Sequence, residues 1–191
     1  AMCKGRKVEV FNGVGQLGAG RSVSVAMADG STATISGDSV MLASGSVPRL
    51  IPGFERGGPI MTSDEVLDLD QLPARVVVIG GGAIGCEFAS TFADLGSEVT
   101  ILEGLPKILP GCDQDVTKAV QRAFKKRKIT VRTDVRVQGH TPGPAGTVLA
   151  LEGDDSVETD LIVMSVGRRP FVDLLGLDEA GVAVDERGFV E

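Results

Sequence analysis

The strongest constraint on the fold is a glycine-rich stretch at 80–85, which lies between an apolar run and a helical pattern. Residues 75–79 read RVVVI, and continuous apolar runs of this kind are typical of central parallel strands covered on both faces. Residues 83–95, AIGCEFASTFADL, place apolar side chains at helical spacing, and Gly96 is a natural helix stop. The order strand, glycine turn, helix predicts a βα unit.

Gly80, Gly82 and Gly85 form a GxGxxG pattern in the context that gives this pattern its meaning, directly after a strand and before a helix. In a dinucleotide site, one glycine allows the tight turn, the second lets the backbone approach a pyrophosphate, and the third lets helix and strand pack closely. The pyrophosphate then lies at the positive end of the helix. A ligand-free glycine turn is the simpler alternative, and the flanking elements favour the binding motif.

Glu103 follows Gly85 by eighteen residues, at the end of a second predicted strand at 99–102. A carboxylate at this place accepts the ribose hydroxyls of an adenosine and repels the 2′-phosphate of NADP. Because no Arg occurs in residues 104–121, we expect NAD as the cofactor. A solvated acid at a strand end is the alternative. For Glu87, in the first helical turn, complementarity to the helix dipole and a ligand role are equally compatible with the sequence.

The region before this unit has the pattern of antiparallel β-structure. Asp29-Gly30 is a tight-turn signal between two alternating runs. Residues 48–59 are rich in Pro and Gly and predict a connector between domains. Residues 62–69 offer N-cap side chains and an apolar face for a short helix. The predicted strand runs lie at 8–11, 12–15, 22–35 and 38–44.

The region after the second strand continues the alternation with a helix at 113–126 and strands at 129–132 and 160–166. Between 135 and 160 the helical period disappears, and short antiparallel strands surround a Pro-Gly turn at 142–144. The predicted fold is α/β: a Rossmann-like parallel sheet with helices and an antiparallel β-meander insertion, plus further antiparallel strands outside it.

Composition excludes several classes of function. Lys and Arg number 19 against 26 Asp and Glu, a net charge of −7 that works against binding to phosphate backbones, so we expect no nucleic acid partner. No apolar run approaches the roughly 20 residues of a membrane span, so we expect no membrane partner. Cys3, Cys86 and Cys112 are too widely spaced for a disulfide framework or a CxxC pair, which predicts a reducing cytoplasm and no metal site.

No catalytic residue is predicted. His140 is the only histidine and has no Asp, Glu or Ser at a recognisable catalytic spacing, so we expect a surface histidine. Cys86 is expected to pack as a small apolar side chain, since a lone thiol needs a base or a partner to do chemistry.

Together, seven segments resemble the FAD-dependent pyridine nucleotide-disulfide oxidoreductases, and most closely the members that oxidise dihydrolipoamide. They are KGRKVEVFNGVG at 4–15, ASGSVPRLIPG at 43–53, TSDEVLDLDQLP at 62–73, VVVIGGGAIGCEFA at 76–89, VTILE at 99–103, LPGCDQDV at 109–116 and VGRRP at 166–170. The resemblance implies an NAD domain inserted between two pieces of an FAD domain. These would be FAD-domain strands at 1–48, the NAD-binding domain at 49–167 and an FAD-domain return segment at 168–191.

Position by position, the resemblance implies contacts to two cofactors. For NAD it implies contacts with the glycine turn and the helix start. It also places Glu103 at the adenosine ribose, Val135 at the adenine and Gly167 near the nicotinamide. The turn and helix residues are Gly80, Gly81, Gly82, Ala83, Ile84, Gly85, Cys86 and Glu87. For FAD it implies Gly15 and the turn Ser44, Gly45 and Ser46, in which Ser44 replaces a more usual Thr or Ala.

Several motifs of the family have no match in this sequence: the first FAD glycine motif, the redox-active CxxxxC, the distal Gly-Asp flavin motif and the C-terminal His-Glu pair. The resemblance implies a homodimeric parent enzyme that passes electrons from dihydrolipoamide, carried on an acyltransferase, through a disulfide and FAD to NAD. This chain would be its NAD-binding portion, inactive alone. Two alternatives stay open: a truncated stand-alone NAD(H)-binding or sensor module, or part of a related enzyme such as mercuric reductase.

Overall fold

A computed structural model describes residues 2–143 and 146–191. Pro144, part of the predicted turn at 142–144, lies outside the described residues. The chain divides into two compact units. One consists of the segments up to Val47 and from Arg169 onward, and the other is Pro48–Arg168.

The first unit contains a three-stranded antiparallel sheet. The strands of this sheet are β1 (Gly13–Gly18), β2 (Ser22–Met27) and β3 (Thr32–Ser36), in the order β1-β2-β3. The short helix α1 (Met2–Gly5) precedes them in the chain. Gly30 has a φ of +84°, and its N–H donates to the Met27 carbonyl oxygen at 3.1 Å, so the predicted Asp29-Gly30 turn is present. The predictions of strands at 8–11 and 38–44 are wrong, because neither segment pairs with a described strand, and Val10 and Met41 are exposed.

The second unit is built on a five-stranded parallel sheet of order β5-β12-β6-β7-β8. The remaining elements in chain order are β4 (Ser46–Pro48), β5 (Ile60–Thr62), a 3-10 helix (Glu65–Asp68), β6 (Arg75–Ile79), α2 (Ala83–Leu95), β7 (Glu98–Leu102), α3 (Gln114–Lys126), β8 (Thr130–Arg132), β9 (Val137–Gly143), β10 (Gly146–Leu151), β11 (Asp155–Thr159), β12 (Leu161–Met164) and β13 (Arg168–Pro170). Strands β9, β10 and β11 form a separate antiparallel sheet, and β4 pairs with β13.

The helix predicted at 62–69 is shorter than expected. Thr62 stays in strand β5, where it pairs with Met164 of β12, so only Glu65–Asp68 forms a 3-10 turn. The Glu65 carboxylate accepts the Thr62 N–H at 2.7 Å, which ties the turn to the end of the strand.

The parallel sheet is buried on both faces, which explains the continuous apolar run of β6. Val76 and Val78 belong to one core cluster, whereas Val77 and Ile79 belong to the other. The first cluster includes residues of α2 and α3, and the second includes residues of β10. Each fully buried valine or isoleucine contributes about 1.5–3 kcal/mol to stability. Helices therefore cover one face of the sheet and the meander covers the other.

Helices α2 and α3 begin and end as the sequence indicates. Gly96 takes a left-handed conformation, φ 107°, after α2, where its lack of a Cβ permits the helix stop. The Asp113 side chain caps α3 by accepting the Asp115 N–H at 2.8 Å. In the described part of the chain, no helix is long and apolar enough to cross a membrane.

Candidate functional site

A cleft of about 850 Å³ opens within the second unit, where β6, β7 and β12 end. Parallel strands present their carboxyl ends at one edge of the sheet, and open α/β sheets bind ligands there. The walls come from the turn after β6, the loop after β7, the residues after β12 and the approach to β9. The lining residues are Ile51, Pro52, Ile79, Gly80, Gly82, Ala83, Ile84, Leu102, Glu103, Gly104, Leu105, Pro110, Val135, Arg136, Val137, Ser165, Val166 and Gly167.

The three motif glycines have different surroundings. A Cβ on Gly85 would lie 2.0 Å from the Gly80 carbonyl oxygen, and one on Gly80 would lie 2.4 Å from that of Ser165. Both glycines permit close packing of backbone against backbone. A Cβ on Gly82 would meet no described heavy atom within 4 Å, and Gly82 lines the cleft. The space beside Gly82 is therefore open to a ligand, as the second glycine of a dinucleotide site requires.

The start of helix α2 forms the floor of this open space. Gly82, Ala83 and Ile84 line the cleft, and no side chain caps the helix. The Cys86 N–H donates a helical hydrogen bond to the Gly82 carbonyl oxygen at 3.0 Å. The N–H groups of the residues just before Cys86 come ahead of this first turn and have no acceptor within the helix. Free N–H groups and the helix dipole together favour a bound anion, so the backbone here fits a pyrophosphate.

Glu103 lines the same cleft and is only 9 % exposed. Its Oε2 accepts the Gly81 N–H at 2.6 Å, and its Oε1 accepts the Leu105 N–H at 2.8 Å. A carboxylate has about four lone-pair sites, so each oxygen keeps capacity for a ligand hydroxyl after these bonds. The residues present thus fit a dinucleotide.

Seven of the residues expected to contact NAD line the cleft, and four do not. Those lining it are Gly80, Gly82, Ala83, Ile84, Glu103, Val135 and Gly167. Of the others, Gly81 lies behind the turn, and a Cβ there would be 2.7 Å from Ile108 Cγ2. Gly85 is packed against Gly80, while Cys86 and Glu87 line a separate hollow of about 430 Å³ with residues of α2 and α3.

Cys86 is buried in the helix-side core, as expected of a small apolar residue. Its Sγ lies 3.5 Å from the Gly81 carbonyl oxygen. Burial, reinforced by the nearby Glu103 charge, raises the pKa of the Cys86 thiol to about 11. A thiol with this pKa stays protonated at neutral pH and is a poor nucleophile.

His140 is half-buried, so it is less exposed than the surface histidine expected from the sequence. Its ring packs against Phe54 with centroids 5.2 Å apart, and its Nδ1 lies 3.2 Å from Thr147 Oγ1. Among the described residues, no cluster of His, Cys, Asp and Glu is arranged to hold a metal ion.

The residues expected to contact FAD belong to the first unit and to different elements. Gly15 lies in β1 opposite Val25 of β2. Gly45 has a φ of +78° in the turn before β4, and its carbonyl oxygen accepts the Phe171 N–H at 3.0 Å.

Sequence reasoning missed several residues of the cleft. Leu105 and Pro110 follow β7 within a few residues of Glu103, so the strand-end position of Glu103 could have indicated them. Ser165 and Val166 directly precede Gly167 and could have been inferred from it. Ile51 and Pro52 belong to the connector at 48–59 and to the resemblance segment at 43–53, and neither feature indicated a place in the cleft.

The model of the pyridine nucleotide-disulphide oxidoreductase family matches residues 2–191. The chain therefore belongs to this family, and the resemblance seen in the sequence is confirmed. Similar curated relatives are the dihydrolipoyl dehydrogenases of Chlorobaculum tepidum and Thermus scotoductus. The first is 38% identical over 194 residues, covering 99% of this chain and 41% of the relative. The second is 35% identical over 196 residues, covering 100% of this chain and 41% of the relative.

Solved structures have the same fold, so the α/β fold predicted from the sequence is confirmed. The Cu(II) complex of RclA, an HOCl-induced flavoprotein disulfide reductase from Escherichia coli, superposes with a TM-score of 0.89 at 27% identity, covering 96% of this chain and 42% of that one. LpdA from Mycobacterium tuberculosis superposes with a TM-score of 0.88 at 29% identity, again covering 96% of this chain and 42% of that one. The chain spans about 41% of the length of the curated relatives described above.

Proposed function

We propose that the cleft binds NAD(H), and that the chain is the NAD-binding portion of a dihydrolipoyl dehydrogenase. The observation that carries the proposal is the meeting of three features at one cleft: the open side of Gly82, the uncapped start of α2, and the carboxylate of Glu103. The first two suit the pyrophosphate, and the carboxylate suits the adenosine ribose that is joined to it.

Each part of the dinucleotide has its own place. The pyrophosphate lies over Gly82 and Ala83, where the backbone N–H groups at the start of α2 favour an anion. The adenosine ribose donates its hydroxyls to Glu103, whose charge disfavours the additional phosphate of NADP. The adenine lies beside Val135, and the nicotinamide lies towards Gly167. The mainly apolar walls limit the water around the bound rings.

When bound, NAD supplies the chemistry by accepting a hydride at its nicotinamide ring. The residues of this chain bind the dinucleotide, orient it and exclude water. The only carboxylate lining the cleft among the described residues is Glu103, which accepts two backbone hydrogen bonds. Its role is therefore recognition rather than proton transfer.

For the parent enzyme we propose the electron path that the family resemblance implies. Dihydrolipoamide on an acyltransferase component reduces a redox disulfide, which passes electrons through FAD to NAD in a homodimer. FAD would contact Gly15 and the turn Ser44, Gly45 and Ser46. The sequence contains no CxxxxC, so this chain by itself should not oxidise dihydrolipoamide.

Titration calorimetry of the 191-residue chain with NADH and NADPH tests the binding proposal. We expect NADH to bind in the micromolar to millimolar range, and NADPH to bind at least tenfold more weakly, which corresponds to about 1.4 kcal/mol. Absence of heat with NADH would contradict the proposal, and equal affinity for both would contradict the role of Glu103.

The proposed activity of the parent is tested on the full product of the gene that encodes this chain. We expect NAD-dependent oxidation of dihydrolipoamide by that product and none by the 191-residue chain. Turnover by the short chain, or a full product that reduces other disulfides or mercuric ion but not lipoamide, would contradict it.

A further inference from the structure

Glu103 connects two loops that together form the wall of the cleft. Its Oε2 accepts the N–H of Gly81 in the turn after β6, at 2.6 Å. Its Oε1 accepts the N–H of Leu105 in the loop after β7, at 2.8 Å. The Glu103 side chain is only 9 % exposed. Hydrogen bonds from N–H groups to a buried carboxylate are stronger than those to a neutral acceptor.

The turn that Glu103 holds has little conformational preference of its own. Residues 80–82 are three consecutive glycines, and glycine loses more backbone freedom on ordering than any other residue. The middle glycine is fixed from both sides: Glu103 accepts its N–H, and the Leu109 N–H donates to its carbonyl oxygen at 2.7 Å. The Glu103 bond is the one in this pair that a side-chain substitution removes.

We propose that Glu103 is a positioning residue, which holds the glycine turn in the shape that receives the pyrophosphate before any dinucleotide arrives. This inference rests on the proposed function, and it adds a second role to the recognition of ribose. The two roles are compatible, because each carboxylate oxygen has a second lone pair. An order already present in the free protein reduces the entropy lost on binding.

The positioning role makes a prediction that ribose recognition alone does not make. If Glu103 only contacts the adenosine ribose, its replacement leaves the free turn unchanged and does not affect ligands that lack that ribose. If Glu103 holds the turn, replacement loosens the Gly81 amide in the free protein. It then also weakens the binding of inorganic pyrophosphate and of reduced nicotinamide mononucleotide.

Glu103→Gln is the informative variant, because the amide keeps one acceptor oxygen but turns an NH₂ donor towards either Gly81 or Leu105. The matched control is Glu98→Gln, which removes the same charge from the exposed start of the same strand, β7. The measurements on the ligand-free 191-residue chain are hydrogen exchange of the Gly81 amide by NMR and the melting temperature. Titrations with NADH, pyrophosphate and reduced nicotinamide mononucleotide follow.

For Glu103→Gln we expect Gly81 exchange to be about tenfold faster or more, and NADH affinity to fall by about tenfold or more. The affinity for reduced nicotinamide mononucleotide or pyrophosphate should fall several-fold, while Glu98→Gln changes none of these. If Glu103→Gln does not fold, Glu103→Asp replaces it. Aspartate keeps the charge but is one methylene shorter, so it cannot span both loops, and the same changes are expected to a smaller degree.

The outcomes separate this inference from the proposed function. Unchanged Gly81 exchange and unchanged binding of the two ligands that lack the adenosine ribose, with weaker NADH binding, would overturn the positioning role and leave the NAD site intact. Faster Gly81 exchange in a chain that binds no NADH even as wild type would support the contact and overturn the proposed function. Equal loosening by Glu98→Gln would assign the effect to lost charge and overturn the positioning role.

Discussion

Gly85 packs so closely against Gly80 that a Cβ on Gly85 would lie 2.0 Å from the carbonyl oxygen of Gly80. This contact sets the start of helix α2 directly on the end of strand β6. It involves backbone on both sides, so no side chain is able to rotate away to relieve a clash. The first and third motif glycines are therefore required by the fold, whereas the second has open space beside it.

Gly85→Ala is expected to destabilise the protein strongly. The added methyl group must push α2 away from β6, and overpacking of this kind costs about 1–3 kcal/mol or more in the free energy of unfolding. Urea or thermal unfolding measures the loss. Gly111→Ala is the control, because a Cβ there meets no described heavy atom within 4 Å, and the φ of Gly111 is not positive. Equal stability of both variants would show that α2 shifts freely on the sheet.

Gly82→Ala should separate binding from stability. The methyl group enters open space at a φ of −71°, so the free energy of unfolding should change by less than about 1 kcal/mol. The same methyl occupies the place where the pyrophosphate would approach the backbone, and we expect NADH affinity to fall at least tenfold, which is about 1.4 kcal/mol. Calorimetry and thermal unfolding on one preparation check both statements. Undiminished affinity would locate the pyrophosphate elsewhere.

The sequence predicted the parallel sheet well because its strong signals are local. The run RVVVI, the helical period of 83–95 and the stop at Gly96 each depend on neighbouring residues only, and all three occur as expected. The segments 8–11 and 38–44 have equally good strand patterns, but a strand also needs a partner. Whether a distant segment supplies one does not appear in a local pattern.

Part of the site was also beyond sequence reasoning. The place of Glu103 at a strand end indicated a carboxylate in the cleft, and the structure has it there. Its bonds to Gly81 and Leu105 were not foreseen, since they depend on how two loops meet at the sheet edge. Cys86 and Glu87 follow the glycine turn in sequence, but helical rotation directs them to another hollow.

The three cysteines should differ in reactivity. Cys3 and Cys112 are exposed, whereas Cys86 is 7% exposed and burial raises its pKa to about 11. An aromatic disulfide reagent at pH 8 should therefore label two thiols in the native protein, and the third only after unfolding in denaturant. Cys86→Ser should leave the native count unchanged and remove one thiol from the denatured count. Rapid labelling of all three in the native state would contradict the burial of Cys86.

Glu103→Arg should not convert the site to NADP. The substitution supplies a cation that suits a 2′-phosphate, but it removes the acceptor for the Gly81 and Leu105 N–H groups. We expect NADH binding to be lost without a compensating gain for NADPH. Parallel titrations of wild type and variant with both dinucleotides measure this, and tight NADPH binding by Glu103→Arg would show that the turn forms without its carboxylate.

Arg75 and Asp160 join the first residue of β6 to the residue before β12 by reciprocal hydrogen bonds. The Arg75 N–H donates to Asp160 Oδ2 at 2.8 Å, its guanidinium donates to Oδ1 at 2.6 Å, and the Asp160 N–H donates to the Arg75 carbonyl oxygen at 3.1 Å. The side-chain hydrogen bond from Arg75 is the main cause that lowers the pKa of Asp160, and burial opposes it.

Stability should therefore depend on this pair in acid. Because the folded-state pKa of Asp160 lies below its unfolded value of about 3.9, its contribution is fully present above that pH and is lost as the pH falls through the folded pKa. Asp160→Asn should lower the free energy of unfolding by about 1–2 kcal/mol at pH 7. The difference from wild type should shrink below about pH 4 as wild-type Asp160 becomes protonated. Urea unfolding across pH 3–7, with the exposed Asp70→Asn as control, checks this, and a difference that is constant with pH would show that the carboxylate charge contributes nothing.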